Sequence, residues 1–177
     1  MNNEWYTPKD LVIALLESGK KLFGNEFIFD LDPASSYSNL VTPLSKQIYT
    51  KEDDGLKQDW GTGYIFCNPP FQRYINKNGK KVRGEYDLLG RFCNRMIEHK
   101  NGIVLTFDKP SVLTHTLRME SSKIVCFRKR VNYITPTGRS SIVPADTILY
   151  GFGDKAKEHL SLLGEEYLKK YEPYLLK

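Results

Sequence analysis

The short run Asn68-Pro69-Pro70-Phe71 combines residue types that can orient an amino group attached to a planar ring. The amino nitrogen of such a ring, adenine for example, is a poor nucleophile because its lone pair is delocalised. Two acceptors, the Asn68 side-chain oxygen and the Pro69 carbonyl oxygen, can hold both N–H groups and direct the lone pair at an electrophile. Phe71 can stack on the ring face, which contributes about 1–3 kcal/mol. Catalysis would then depend on orientation and hydrogen bonding, without a covalent intermediate.

This run is predicted to follow directly after a buried strand. Tyr64, Ile65 and Phe66 are strand-forming residues. The two prolines end the strand because each lacks an N–H group and fixes its own φ, and the first of them holds the preceding asparagine extended. The sequence therefore predicts a rigid strand end with its carbonyl groups directed away from the ladder.

The rest of the chain predicts alternating helices and strands. A first helix is expected from a capping-box-like start, with Thr7 as N-cap, Pro8 at the first helical position and Asp10 three residues after the cap, and it closes at Gly19 or Gly24. Further helices are predicted at 87–100 and 155–171. Strands are predicted within 26–33, 46–50, 63–70, 102–107, 122–127 and 145–152.

This alternation favours a mostly parallel α/β sheet. Ligands of such sheets bind beyond the carboxyl ends of the strands, where both FDLDP and IFCNPPF end.

Composition excludes several classes of protein. The 177 residues, 40% hydrophobic, predict one domain spanning 1–177, and no apolar run approaches the roughly 20 residues that a membrane span requires. The N-terminal residues lack the pattern of a signal peptide. The three cysteines, Cys67, Cys93 and Cys126, are far apart and predict reduced core thiols of a cytoplasmic protein. The scattered histidines and the absence of CxxC and HExxH argue against a bound metal.

Positive charge is concentrated in two stretches near the candidate site. The formal net charge is +5, which permits a polyanionic partner. One stretch follows Phe71 and carries Arg73, Lys77, Lys80, Lys81 and Arg83; the other carries Arg128, Lys129, Arg130 and Arg139. Either stretch alone is equally well explained as a solvated loop. Two basic loops beside one site favour a nucleic acid.

Four segments in order, WYTP, DLDPASS, YTKEDDGLKQDW and CNPPF, resemble the phage-type Dam family of DNA adenine-N6 methyltransferases. The resemblance runs from about Glu4 to Phe71 and more weakly through RVNY and VPADTILYGF. It implies a Rossmann-like methyltransferase fold with an antiparallel edge hairpin and S-adenosylmethionine as methyl donor. It also implies a flipped adenine as acceptor and a role in phage DNA modification against restriction. At 177 residues the chain is expected to have no separate target-recognition domain.

The resemblance assigns the cofactor to three segments. Tyr6-Thr7-Pro8 at a helix start would hold the methionine carboxylate, and Asp32-Pro33-Ala34 matches the first cofactor motif. This chain departs from the family pattern after Asp32, because serines and a tyrosine replace a glycine-rich loop. Asp30 is therefore a rival to Asp32. For the adenosine half, Asp54 is favoured over Asp53, although either carboxylate is also explained as the cap of an acidic turn.

Several assignments near the site stay open. Phosphate contacts are expected from Arg73, Lys80, Lys81 and Arg83 and from Arg130 on the second basic loop, whereas Asn76, Asn78 and Arg83 are candidates for base edges. Arg130, Asn132 and Tyr133 line the base pocket or belong to a surface hairpin. Trp60 is expected in the core, and Trp5 either packs or lines the cofactor pocket. Motifs of this type also serve RNA and protein-glutamine methyltransferases, and a binding-only relative is a third reading.

Overall fold

The computed structural model describes residues 5–36, 44–71, 78–80, 87–108, 111–127, 129–135, 137–142, 146–163 and 173–175. In chain order the helices are α1 (Lys9–Phe23), α2 (Leu88–His99), α3 (Val112–Glu120) and α4 (Asp154–Ser161). The strands are β1 (Phe29–Asp32), β2 (Ser45–Ile48), β3 (Ile65–Cys67), β4 (Gly102–Phe107), β5 (Lys123–Phe127), β6 (Asn132–Ile134), β7 (Ser140–Ile142), β8 (Thr147–Phe152) and β9 (Pro173–Leu175).

Seven of the strands form one sheet in the order β2-β1-β3-β4-β8-β5-β9. The pairs β1–β2, β1–β3 and β3–β4 are parallel, whereas β8 runs antiparallel to both of its neighbours and β9 runs antiparallel to β5. Strands β6 and β7 form a separate antiparallel hairpin. The predicted α/β class, Rossmann-like and mostly parallel with antiparallel strands, is confirmed.

The strand order creates a crevice between β1 and β3. After β1 the chain proceeds outward to β2, and after β3 it proceeds to β4 on the opposite side. Such a reversal leaves an opening at the carboxyl ends of the two central strands, which is where open α/β sheets bind their ligands. β1 ends at Asp32 and β3 ends at Cys67, so the two sequence motifs meet at this crevice.

The helices cover the sheet through the apolar positions that their periodicity predicts. In α1 the buried side chains include Leu11, Val12, Leu15 and Leu16, and in α2 they include Phe92, Cys93 and Met96. Asp87 caps α2 by accepting a hydrogen bond from the Gly90 N–H group at 2.8 Å. The three cysteines are buried and free, as expected of reduced core thiols.

Two predicted helix boundaries are wrong. Pro8, not Thr7, occupies the N-cap position of α1, and no side chain caps this end; the Asp10 carboxylate instead accepts from the adjacent Leu11 N–H group. The capping box fails because the Thr7 hydroxyl has a partner elsewhere in the fold. Helix α4 ends at Ser161 and not at 171, and residues 164–171 of the predicted span lie outside the described residues.

Other elements differ less. α1 ends at the alternative given by Gly24, whose φ of 101° suits a glycine, while Gly19 lies within the helix against the Phe27 ring. The predicted helices and strands did not include α3, β6, β7 or β9. β9 pairs with β5 at the end of the sheet.

Candidate active site

Asn68 follows the last residue of β3 and is anchored to the N-terminal segment. Its amide nitrogen Nδ2 donates to the Trp5 carbonyl oxygen at 2.9 Å and to the Thr7 hydroxyl at 3.1 Å. Its oxygen Oδ1 is buried and has no hydrogen-bond partner among the described residues. Because buried polar atoms are almost always paired, this acceptor is the kind of atom that a ligand N–H group would satisfy.

The N-terminal segment also contacts the loop that follows β1. The Tyr6 hydroxyl lies 3.4 Å from the Ser36 hydroxyl, and the Tyr6 backbone pairs with Ile134 of β6 through hydrogen bonds of 2.8 and 3.3 Å. Tyr6, Thr7 and Pro8 are all buried. The start of α1 is therefore fixed beside both the β1 loop and Asn68. Its N-cap residue makes no side-chain cap hydrogen bond, and in the first turn the Asp10 carboxylate accepts from the Leu11 N–H group.

Asp32 is the last residue of β1, and its buried carboxylate bonds to the loop that follows this strand. Its Oδ1 accepts from the Ala34 N–H group at 3.1 Å. Burial raises the pKa of Asp32 to about 7, and the hydrogen bonds from Ala34 and the Ser35 hydroxyl offset only part of that shift. A cationic or hydrogen-donating ligand would therefore stabilise the ionised form.

The loop after β1 and the DDGL segment are in close contact. A Cβ atom at Gly55 would lie 2.0 Å from the Pro33 carbonyl oxygen, so only glycine fits there. Tyr49, which follows β2 and precedes the acidic turn, is bonded to the β1 loop: its N–H group donates to the Asp32 carbonyl and its carbonyl accepts from the Ser35 N–H group, each at 2.9 Å. The sequence segments expected to hold the two halves of the cofactor are thus adjacent.

The rival carboxylates have other partners. Asp30 is half-exposed, pairs with Lys46 at 2.7 Å and accepts from the Tyr64 N–H group at 2.7 Å. Asp53 accepts from both the N–H and the hydroxyl of Thr50 at 2.8 Å. These bonds close the acidic turn itself, and because residues 51–58 form turns and a bend, no helix follows for either carboxylate to cap. Asp54 forms a surface ion pair at 2.8 Å and has a φ of 51°.

Aromatic side chains line the other flank of Asn68. The Phe71 ring stacks on Phe107 with centroids 4.2 Å apart, Phe107 meets Tyr133 edge-to-face, and Tyr133 in turn meets Trp5. Tyr133 lies on the β6–β7 hairpin but is fully buried in the core, with its hydroxyl 3.1 Å from the Thr147 hydroxyl. Phe107 was missed by the sequence reasoning, although it ends the strand next to β3 and could have been found from that position.

Trp60 is buried, as expected, and its ring N–H group donates to the Gly55 carbonyl at 2.8 Å. Trp5 packs against the core, which is one of the two roles considered for it, and its carbonyl oxygen also accepts from Asn68 Nδ2. Its lining of the cofactor pocket stays a prediction.

The basic residues are only partly described. Lys80, Asn78, Arg130 and Asn132 are exposed. Arg130 follows β5, which runs parallel to β4 and therefore ends at the same edge of the sheet as Asn68. Arg73, Asn76, Lys81 and Arg83 lie outside the described residues.

The described residues show neither a metal-binding cluster nor a membrane-spanning helix. They contain no cluster of histidine, cysteine and acidic side chains able to hold a metal ion. None of their helices is long and apolar enough to cross a membrane.

Comparison with known proteins identifies the family. The family model described as DNA N-6-adenine-methyltransferase (Dam) matches residues 1–171, which is nearly the whole chain. No curated protein and no solved structure matches the chain. The matched span includes all the segments that meet at the crevice: the start of α1, the β1 loop, the DDGL segment and CNPPF. The chain therefore belongs to the Dam family of DNA N-6-adenine-methyltransferases.

Proposed function

We propose that this chain transfers the methyl group of S-adenosylmethionine to N6 of an adenine that is flipped out of DNA. The observation that carries the proposal is the buried, unpaired Oδ1 atom of Asn68 at the carboxyl end of β3. Membership of the Dam family supports adenine in DNA as the acceptor.

Asn68 and Pro69 act on the adenine amino group. An unsatisfied buried acceptor costs about 1–3 kcal/mol, and an amino N–H group bound at Oδ1 recovers that cost. The Pro69 carbonyl takes the second N–H group, and Pro70 keeps the backbone stiff. With both hydrogens held, the nitrogen becomes more tetrahedral and its lone pair is directed at the methyl donor, so no covalent intermediate is needed.

Phe71 supports the base. Phe107 covers one face of the Phe71 ring, and the proposal places adenine on the opposite face. An adenine in duplex DNA is not accessible to this pocket, so the base must leave the helical stack before it binds.

The residues at the crevice fit S-adenosylmethionine, which when bound supplies an electrophilic methyl group on its sulfonium. Three observations support the fit: the uncapped start of α1, the buried Asp32 carboxylate, and the close contact of Gly55 with Pro33. Tyr6, Thr7 and Pro8 would place the helix N-terminus at the methionine carboxylate, and Asp32-Pro33-Ala34 would meet the methionine part. Asp54 would accept from the adenosine part.

DNA would lie across the edge of the sheet formed by the carboxyl ends of β3 and β5. Lys80 follows β3 along the chain, Arg130 follows β5, and both side chains are exposed. Arg73, Lys81 and Arg83 belong to the same basic stretch after Phe71 as Lys80. These cations would bind phosphates and make the affinity dependent on salt. A single domain acting in the cytoplasm of a bacterial or phage-infected cell, on phage or prophage DNA, completes the proposal.

The test compares Asn68→Ala with Asn101→Ala. Asn101 is a matched control, since its amide nitrogen likewise donates two hydrogen bonds, here to the Thr62 and Gly63 carbonyls, but it precedes β4 and so lies at the opposite edge of the sheet. We expect Asn68→Ala to abolish transfer of labelled methyl groups to DNA while the affinity for S-adenosylmethionine changes little, and Asn101→Ala to retain transfer. Full transfer by Asn68→Ala would refute the role of Asn68. Loss of cofactor affinity in that variant would place Asn68 in the cofactor subsite instead.

A further inference from the structure

The two anchors of the Asn68 amide dictate which way it faces. The Trp5 carbonyl oxygen can only accept a hydrogen bond, so the Asn68 NH₂ group must lie against it, at the observed 2.9 Å. The reversed amide would set two acceptor oxygens against each other. It would also present NH₂, a donor, to the adenine amino group, which is itself a donor. The orientation with Oδ1 free is therefore the only one that suits both neighbours.

Thr7 supplies the second anchor. Its hydroxyl is buried and accepts from Asn68 Nδ2 at 3.1 Å. A threonine just before a helix usually caps the first turn, but here Pro8 is the N-cap and the hydroxyl is directed at Asn68. Trp5 and Thr7 flank Tyr6, which contacts the loop after β1.

We infer that Thr7 is a positioning residue for methyl transfer: its hydroxyl, together with the Trp5 carbonyl, locks the Asn68 amide with Oδ1 directed at the adenine amino group. This inference rests on the proposed function and adds a role for the side chain of Thr7 that differs from holding the cofactor. It joins the start of α1 to the acceptor site through two hydrogen bonds.

The lock also explains why asparagine, and not aspartate, precedes the two prolines. An ionised aspartate at position 68 would face the Trp5 carbonyl with an oxygen that cannot donate. The Thr7 hydroxyl can turn and donate to a carboxylate, but a carbonyl cannot. Only the protonated acid can restore a donor to Trp5 and leave its other oxygen to accept from adenine.

The first experiment compares Thr7→Val with Thr7→Ser. Valine keeps the branched shape and removes the hydroxyl, whereas serine keeps the hydroxyl. We expect Thr7→Val to lower kcat by about tenfold with the KM for S-adenosylmethionine nearly unchanged, and Thr7→Ser to retain most of the wild-type kcat. A rise in KM at unchanged kcat would show that Thr7 serves only the cofactor, and an unchanged kcat and KM would likewise overturn the inference.

A second variant keeps the inference falsifiable if Thr7→Val does not fold. The kcat of Asn68→Asp is divided by the wild-type kcat at each pH between about 6 and 9, which cancels the titration of other groups. Above the pKa of the new carboxyl, its protonated fraction grows about tenfold per unit of falling pH, so this ratio should rise steeply toward pH 6. A ratio that is constant over this range would overturn the lock. A wild-type protein that makes no N6-methyladenine would instead refute the proposed function.

Discussion

Asp32 offers the sharpest test of the cofactor side of the site. Its pKa rises from 3.8 to about 7 on folding, because burial disfavours the ionised form. A rise of roughly 3 units, at about 1.4 kcal/mol per unit, corresponds to an upper limit of about 4 kcal/mol. Since the folded-state pKa is the higher one, this group favours folding most below pH 4, and that contribution is lost as the pH rises through 7.

Asp32→Asn should therefore stabilise the protein at alkaline pH and weaken cofactor binding. The amide keeps an acceptor for the Ala34 N–H group but carries no charge. Denaturant unfolding of wild type and variant should show a gain for Asp32→Asn of up to about 4 kcal/mol at pH 8 that falls toward zero near pH 4. Calorimetry at pH 8 should show weaker binding of S-adenosylmethionine by the variant.

Asp30→Asn is the matched control. Its carboxylate is half-exposed in a surface ion pair, so its loss should change the free energy of unfolding by less than about 1 kcal/mol. Cofactor affinity should not change. Equal stability of Asp32→Asn and wild type at pH 8 would refute the desolvation argument. Wild-type cofactor affinity in Asp32→Asn would transfer the binding role to Asp30 or Asp54.

Two further perturbations test the fold and the DNA interface. Burial lowers the pKa of His159 from 6.5 to about 4, so its contribution to stability is present above pH 6.5 and lost as the pH falls through 4. The free energy of unfolding of wild type should exceed that of His159→Gln above pH 6.5, and this difference should shrink by up to about 3 kcal/mol as the pH falls through 4. A difference that stays constant with pH would contradict this. Replacing Lys80 and Lys81 with alanine should weaken DNA binding at all sequences and flatten its salt dependence, whereas the control pair Lys20 and Lys21, near the far end of α1, should have little effect. An effect at one DNA sequence only would make the loop a base reader.

The strand end at CNPPF is predictable because its causes are local. Strand-forming residues followed by two prolines must end a ladder, and β3 does end at Cys67. The meeting of this end with Asp32 also follows, since alternating helices and strands imply parallel strands with their carboxyl ends at one edge. The bonds of the acidic turn could not be predicted, because two adjacent carboxylates are equally suited to them in sequence: Asp53 accepts from Thr50, whereas Asp54 forms a surface ion pair.

The partners of Thr7 and the position of β8 could not be predicted. A hydroxyl before a helix can cap the first turn or bond to a distant group, and the choice here depends on Asn68, 61 residues away along the chain. The insertion of β8 between β4 and β5 is likewise a matter of strand order, which local periodicity does not encode. The end of helix α4 could not be predicted either. The apolar periodicity in the sequence continues beyond Ser161, where the helix ends, because periodicity alone does not mark the last helical residue.

The most direct test of the central claim is to identify the methylated product. Wild-type protein is incubated with labelled S-adenosylmethionine and, in parallel, unmethylated double-stranded DNA, single-stranded DNA and RNA, and the nucleosides are then separated. If the chain methylates adenine N6 in DNA, we expect label in N6-methyladenine from DNA. Label confined to RNA, or absent from every nucleic acid while the cofactor binds, would contradict it.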